Sequence, residues 1–168
     1  AYLKARNIGK EDFVMIKLPR GVQPIIATIG VWRAGAAFVI VEDTLAPERI
    51  DYIYKDCNCK ITITSEVWEE INQCEPLDGY EETDPHDAAY AVYTSGTTGT
   101  PKGALHEYGN LERCKESANY LGEEIFDEGE RFALAAPLNF VASTMVLSYA
   151  LYRGCCSSHI LSFSTVKN

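Results

Sequence analysis

Hydroxyl-bearing residues and glycines cluster in one segment of the chain, and their spacing suits the binding of an anion. Residues 94–103 read TSGTTGTPKG and follow the apolar run of residues 88–93. Gly96 and Gly99 can adopt the positive φ angles that turn successive N–H groups toward one anion, and the neighbouring hydroxyls can rotate to donate to its oxygens. Lys102 adds a compact positive charge. This order predicts a strand that ends in a phosphate-binding loop.

A flexible linker and the loop of P-loop NTPases both fit this segment less well. A linker rich in Ser, Thr and Gly does not usually follow a buried-strand pattern or close with Pro-Lys-Gly. The loop of P-loop NTPases needs Gly, four residues, and then Gly-Lys followed by Ser or Thr. Here Thr100 follows Gly99 and Gly103 follows Lys102. The segment instead resembles the phosphate loop of the adenylate-forming enzymes, which include acyl-CoA synthetases, luciferases and the adenylation domains of nonribosomal peptide synthetases.

This resemblance implies a reaction and a set of contacts. Enzymes of the superfamily join a carboxylate to the α-phosphate of ATP, expel pyrophosphate, and pass the acyl group to the phosphopantetheine thiol of a carrier protein or to CoA. ATP and Mg²⁺ are the implied cofactors, and the loop would hold the leaving phosphates while the carboxylate attacks. By resemblance, the residues that bind the β- and γ-phosphates are Thr94, Ser95, Gly96, Thr97, Thr98, Gly99 and Lys102.

A second segment, residues 132–143, resembles the substrate motif of the superfamily. In amino-acid-activating members this motif ends Phe-Asp-x-Ser, and its aspartate pairs with the α-ammonium group of the substrate. Val141 occupies the aspartate position here, and no Asp or Glu follows Glu130. A buried ammonium without a partner costs several kcal/mol. Asn139 and Phe140 are similar to the asparagine and aromatic residue of aryl-acid-activating members. We therefore place Asn139, Phe140 and Val141 in the substrate pocket, with an acid that lacks an α-amino group as the substrate.

Val141 also allows two different interpretations. Val141 can be a core residue while a group elsewhere in the protein pairs with the α-ammonium group of the substrate. Alternatively, the domain can have lost its activity.

Two further segments extend the resemblance over nearly the whole chain. Residues 31–39 followed by residues 47–50 are similar to an early motif of peptide-synthetase adenylation domains, and residues 85–90 are similar to the segment that precedes their phosphate loop. Such enzymes are several times longer than 168 residues. We therefore expect an excised part of the N-terminal portion of a longer parent protein. It would hold no catalytic residue, be inactive alone, and self-associate through its uncovered apolar face.

The hydrophobic pattern predicts the elements that position these segments. We expect strands at 13–18, 36–41, 60–64, 88–93, 132–136 and 159–163, and helices at 22–34, 47–54, 65–72, 110–120 and 142–152. Residues 1–8 are predicted as the end of a helix closed by Gly9, and Ser65 as an N-cap. Alternating strands and helices indicate an α/β fold, a layered and mostly parallel sheet with helices on both faces.

The predicted domain organisation has three parts: a first α/β part at residues 1–74, an acidic connection at 75–88, and a part at 89–168 that carries the phosphate loop and the substrate motif.

Composition narrows the functional class further. The net charge of −9 argues against a nucleic-acid partner. No apolar run reaches the roughly 18 residues that span a bilayer, so we expect a cytoplasmic protein without a membrane partner. The six cysteines lie at positions 57, 59, 74, 114, 155 and 156 and show no paired metal-ligand spacing, which predicts reduced thiols and no metal bound by the protein alone.

Three functional classes remain on this sequence. The first is the N-terminal part of a peptide-synthetase adenylation domain. The second, within the same superfamily, is a D-alanine-carrier-protein ligase or an acyl-CoA synthetase. The third is a non-catalytic nucleotide-binding or scaffold module that kept the loop.

Overall fold

The computed structural model describes residues 1–76, 78–95, 100–113, 131–134, 136–152 and 156–159. The chain folds as two compact units, residues 1–108 and residues 109–168. The predicted division of the chain into residues 1–74, 75–88 and 89–168 stays a prediction.

A five-stranded sheet forms the first unit, with the strand order β3-β1-β2-β4-β5. Strands β1 to β4 run parallel, and β5 pairs antiparallel with β4 at the edge. In chain order, the elements of this unit are a 3₁₀ turn (Lys4–Arg6), β1 (Phe13–Ile16), α1 (Val22–Arg33), β2 (Ala37–Ile40), α2 (Pro47–Asp56), β3 (Ile61–Ile63), α3 (Ser65–Asn72), β4 (Ala88–Ser95) and β5 (Pro101–Glu107). The predicted α/β class with a mostly parallel sheet is confirmed.

The core lies on the central strands of this sheet. Val14, Met15 and Ile16 of β1 are completely buried, as expected for a parallel strand that is covered on both faces. Phe38 of β2 packs between the rings of Trp32 and Tyr90, with ring centroids 5.5 and 5.6 Å away. This aromatic layer joins α1, β2 and β4.

The helix boundaries follow from local chemistry. Gly35 has φ 73°, which lets the chain leave α1 and enter β2 directly. Pro47 opens α2 at a position where its missing N–H costs nothing. Helix α3 begins at Ser65, but Thr64 is its N-cap, because the Thr64 hydroxyl accepts from the backbone N–H of Val67 at 3.4 Å. The prediction that Ser65 is the cap was wrong by one residue.

The N-terminal segment differs from the expectation. Residues 4–6 form a single 3₁₀ turn, and the left-handed residue that closes it is Asn7, with φ 55°, rather than Gly9. Asparagine tolerates this conformation because its short polar side chain can bond locally. The N–H of Gly9 donates instead to the Asp12 carboxylate at 3.1 Å.

Strand β5 was not predicted. Residues 101–107 begin with Pro-Lys-Gly and carry few strand-forming residues, and most of them are exposed. An edge strand of this kind forms through its pairing with β4 rather than through its own apolar pattern.

In the second unit, the structure describes β6 (Arg131–Leu134), α4 (Val141–Tyr152) and β7 (Cys156–His159), and β6 and β7 pair in parallel. The helix predicted at 142–152 is confirmed. Of the predicted helix 110–120, residues 110–113 are helical and the others lie outside the described residues. The last strand lies at 156–159, three residues before the predicted start, and positions 160–163 lie outside the described residues. In the described part of the chain, no helix has the length and apolarity that a membrane span requires.

Candidate functional site

The β4–β5 hairpin holds both ends of the predicted phosphate loop. Thr94 lies opposite Lys102, and Ser95 lies opposite Pro101 in the antiparallel register. The structure therefore brings the first hydroxyl and the only lysine of the predicted set together as cross-strand partners. Gly96, Thr97, Thr98 and Gly99 lie outside the described residues.

Burial changes along β4 in the direction of the loop. Ala88, Ala89, Tyr90 and Ala91 are at most 7% exposed, whereas Thr94 is exposed, as is Lys102 across the hairpin. Because β4 also pairs with β2, the buried half of the strand fixes the position at which its exposed half leaves the core. A hydroxyl and an ammonium group are thus presented to solvent from a rigid strand pair.

Tyr93 packs directly behind this exposed end. A Cβ atom added at Gly103 would lie 2.8 Å from Cζ of the Tyr93 ring, so the ring occupies the space that a side chain at position 103 would need. The Tyr93 hydroxyl donates to the Asp56 carboxylate at 2.5 Å. Burial, with the Asp56 carboxylate as a second cause, raises the pKa of Tyr93. The sequence analysis did not identify this support.

The entrance to β4 is fixed by side chains from distant segments. The backbone N–H of Ala88 donates to the Glu11 carboxylate at 2.8 Å, and the indole N–H of Trp32 donates to the Ala89 carbonyl at 3.1 Å. At the far end of β5, the hydroxyl of Tyr108 donates to the Ala36 carbonyl at 3.2 Å. These bonds attach the hairpin to α1 and to the start of β2.

Polar and ionic contacts also attach residues 75–88, the predicted acidic connection, to earlier segments of the first unit. The guanidinium of Arg33 donates to the Gly79 carbonyl at 2.6 and 3.1 Å, and Lys4 pairs with Glu81. The hydrogen bond from Lys4 lowers the pKa of Glu81. Lys10 lies 3.1 Å from the carboxylate of Asp87, which precedes β4. The connection therefore helps to orient the strand that leads to the loop.

The predicted substrate residues lie in the second unit, at the start of α4. Asn139 is partly exposed, Phe140 is 60% exposed, and Val141 is the first residue of the helix. The Phe140 carbonyl accepts from the N–H of Ser143 at 3.0 Å, which closes the first turn. The three predicted residues are thus adjacent on one turn, and the Phe140 side chain is largely uncovered.

Ser143 is a site feature that sequence reasoning did not single out. Its hydroxyl is buried, at 1% residue exposure, and has no hydrogen-bond partner among the described residues. A buried hydroxyl without a partner costs about 1–3 kcal/mol. The signal available in the sequence was its position two residues after Val141, where the substrate motif of the superfamily places a serine.

A cavity of about 470 Å³ lies elsewhere in the first unit, and its lining includes Tyr2, Ile26, Trp68, Ile71 and Tyr80. None of the predicted site residues that the structure describes lines it. Among the described residues, no group of three His, Cys, Asp or Glu side chains could hold a metal ion.

Known proteins resemble this chain in sequence and in fold. Surfactin synthase subunit 1 of Bacillus subtilis (strain 168) is 33% identical over 168 aligned residues that cover 90% of this chain and 5% of that protein. The nonribosomal peptide synthetase apmB of Penicillium brevicompactum is 26% identical, over 93% of this chain and 7% of its own length. The chain therefore spans a small share of the curated relatives that it matches.

A solved structure shows the same fold. The Klebsiella oxytoca NpsA N-terminal subdomain, in complex with 3-hydroxyanthranilyl-AMSN, superposes with a TM-score of 0.80, is 24% identical, and matches 94% of this chain and 42% of that chain.

These features define an α/β protein in which a hydroxyl-rich segment leaves the end of a parallel strand. The family model described as AMP-binding enzyme matches residues 1–165, and the chain belongs to this family. The predicted membership of the adenylate-forming superfamily, with the peptide-synthetase adenylation domain as its nearest type, is confirmed.

Proposed function

We propose that this chain supplies the ATP phosphate-binding part of an enzyme that activates a carboxylic acid as its acyl-adenylate and then loads a carrier-protein thiol. The observation that carries the proposal is the cross-strand pairing of Thr94 and Lys102 at the two ends of the hydroxyl-rich segment. An exposed hydroxyl and an exposed ammonium group on one rigid hairpin suit the charge of the leaving pyrophosphate.

Each described residue of the loop has a separate task in this proposal. The Lys102 ammonium neutralises phosphate charge, and the Thr94 hydroxyl donates to a phosphate oxygen. Tyr93 and Gly103 keep the two strands in close contact behind these groups. Strand pairing fixes the backbone positions of both residues before the nucleotide arrives, which lowers the entropic cost of positioning the reacting groups.

The described residues fit Mg²⁺ only in the presence of the nucleotide. They offer hydroxyl groups at the hairpin but no cluster of carboxylates, and Mg²⁺ is commonly held by one or two carboxylates together with substrate phosphates and water. In this proposal, Thr94 and Lys102 would hold the phosphates, and Mg²⁺ bound to those phosphates would supply further neutralisation of their charge.

For the substrate, we propose an acid without an α-amino group. Val141 provides no charge at the position that would meet an ammonium, while the Asn139 amide can bond a hydroxyl or carbonyl group. NpsA supports this class, because its N-terminal subdomain binds a 3-hydroxyanthranilyl group, whose amine is carried by an aromatic ring.

The test of both parts is ATP–pyrophosphate exchange by the parent protein with separate panels of α-amino acids and of aryl, keto and hydroxy acids. We expect exchange only with acids that lack an α-amine. Exchange with an ordinary α-amino acid would support the proposed adenylation activity and overturn the proposed substrate class. No exchange with any acid would overturn the proposed adenylation activity and favour a non-catalytic nucleotide-binding module.

A charge introduced at position 141 tests the proposed substrate class separately from the nucleotide site. In the parent, Val141→Asp should lower exchange with its own acid by about 10-fold or more, because a carboxylate that the bound acid covers without an ammonium partner is costly. Val141→Asn, which has nearly the same shape without the charge, should cost less. Equal losses in both variants would contradict a role of charge at this position.

We also propose that the isolated 168-residue chain does not turn over ATP. Carboxylate-dependent release of pyrophosphate by the purified chain, at a rate comparable to the parent, would overturn this statement.

A further inference from the structure

Two cysteines meet at the C-terminal end of α2, away from the loop residues. Helix α2 ends at Asp56, and Asn58, with φ 50°, turns the chain back so that the N–H of Cys59 donates to the Tyr54 carbonyl at 3.0 Å. At this turn the Cys57 side chain packs against the core cluster that contains Cys59. The turn therefore places the two cysteines, which only Asn58 separates, at the same edge of the core.

The two thiols differ in exposure. Cys59 is 6% exposed and lies in a core cluster with Met15, Val39 and Ile53. Cys57 is partly exposed and packs on the edge of this cluster. A small reagent from solvent therefore reaches Cys57 first, and Cys59 stands behind it.

Polar neighbours hold Cys57 in place. Its sulfur lies 3.2 Å from the Tyr93 hydroxyl, and the same hydroxyl donates to Asp56. The hydrogen bond from the Cys59 thiol lowers the pKa of Cys57 to about 7, although the charge of Asp56 acts against this shift. The same hydrogen bond, together with burial, raises the pKa of Cys59. Cys57 is the more exposed thiol and the one whose pKa is lowered, so we assign it as the nucleophile and Cys59 as the thiol behind it.

We propose that Cys57 and Cys59 form a redox-active dithiol, in which Cys57 reacts with hydrogen peroxide and Cys59 then closes a disulfide. This inference does not depend on the proposed adenylation function.

The reaction balances in two steps. The Cys57 thiolate attacks one peroxide oxygen, so that an S–O bond forms, the O–O bond breaks, and the departing hydroxide takes a proton and leaves as water. The Cys59 sulfur then attacks the sulfur of the Cys57 sulfenic acid. An S–S bond forms, the S–O bond breaks, and the hydroxide leaves with the Cys59 proton as a second water. Two thiols are oxidised, and one peroxide is reduced to two waters.

Trypsin makes the test direct, because cleavage after Lys55 and Lys60 releases residues 56–60, a peptide that contains both thiols and no other cysteine. The folded 168-residue chain is treated with increasing hydrogen peroxide, capped with iodoacetamide, digested and analysed by mass spectrometry. We expect this peptide to lose two hydrogens at doses that leave most of the exposed Cys74 free to react with iodoacetamide.

Cys74 is the internal control, since it is an exposed free thiol on the same chain. Oxidation of Cys74 before the peptide 56–60, or uptake of two iodoacetamide groups by that peptide after peroxide, would overturn the proposal.

Two variants assign the roles of the sulfur atoms. Cys59→Ser keeps a donor toward Cys57 but cannot close the disulfide, so Cys57 should accumulate as a sulfenic acid that dimedone traps. Cys57→Ser should leave Cys59 unreacted. Rapid oxidation of Cys59 in the Cys57→Ser variant would overturn the assigned order. If either variant fails to fold, as judged by circular dichroism, the peroxide doses that oxidise the peptide 56–60 and Cys74 in the unmodified chain still test the proposal.

Discussion

The phosphate-loop hairpin and the substrate segment at the start of α4 are supported in different ways. Strand β4 of the hairpin is paired on both sides, with β2 and with β5, and Tyr93 fills the space above Gly103. The substrate segment presents an uncovered Phe140 and a buried Ser143 hydroxyl without a partner among the described residues.

This difference indicates which of the two segments the described contacts hold in place. The described contacts fix where Thr94 and Lys102 lie, because they come from strands of the same unit. In residues 139–143, the buried Ser143 hydroxyl has no hydrogen-bond partner among the described residues. The described contacts therefore support the hairpin more completely than they support residues 139–143.

The largest expected effect concerns the charge on the hairpin. Lys102→Ala in the parent should lower pyrophosphate exchange by about 10- to 100-fold, because a hydrogen bond to a charged group contributes roughly 1.5–3 kcal/mol. Lys55→Ala is the matched control, since Lys55 is an exposed lysine that pairs with Asp51 on the same helix, α2. An equal loss in both variants would mean that net charge, rather than the site, determines the rate.

The packing behind the hairpin should have an effect on stability of about 2 kcal/mol, in the range of an overpacked contact. Gly103→Ala places a methyl group 2.8 Å from the Tyr93 ring, whose far end is held by Asp56, so the ring must move. Gly30→Ala is the control: it lies within α1, nothing lies within 4 Å of its Cβ, and it should stabilise by about 0.5–1 kcal/mol. Denaturant unfolding of the chain measures both. An unchanged denaturant midpoint for Gly103→Ala would show that the Tyr93 ring moves aside without a cost in stability.

Ser143→Ala should separate stability from activity. Removal of the unpartnered hydroxyl should raise the stability of the chain by up to about 1 kcal/mol, while exchange by the parent falls about 2- to 10-fold through the loss of a neutral hydrogen bond.

Thr28→Val is the matched control for Ser143→Ala. The Thr28 hydroxyl, in α1 of the first unit, is also buried and unpartnered among the described residues, so this variant should gain stability without loss of exchange. If Ser143→Ala keeps full exchange, Ser143 belongs to the core and not to the acid site.

The smallest expected effect is a pH dependence at β5. The ring of His106 stacks on Tyr90 with centroids 4.4 Å apart, and burial lowers the pKa of His106. The unfolded state then binds the proton more readily, so the associated stability is present above the unfolded pKa of about 6.5 and is lost as pH falls toward the folded value. His106→Phe keeps a stacked ring without the titration. The wild type should therefore lose stability relative to this variant on acidification from about pH 7.5 to 5, and a constant difference would contradict the assignment.

Sequence reasoning located most elements of the first unit to within one or two residues, because their apolar patterns and end signals are local. Pro47 at the start of α2 is an example. It did not find β5, whose residues take their conformation from β4, and it placed the cap of α3 at Ser65 instead of Thr64. It also identified the superfamily from the hydroxyl- and glycine-rich segment, since that segment depends on residue types at fixed spacing.

The sequence by itself determined the α/β class, the family and the identity of the residues proposed to bind phosphate, because these depend on periodicity and on contiguous motifs. Only the tertiary structure placed Lys102 opposite Thr94, the Tyr93 ring over Gly103, and the Tyr93 hydroxyl between Asp56 and Cys57. Asp56 and Cys57 lie 37 and 36 positions from Tyr93 along the chain. These contacts exist because sheet register and helix packing, which no local pattern encodes, bring the segments together.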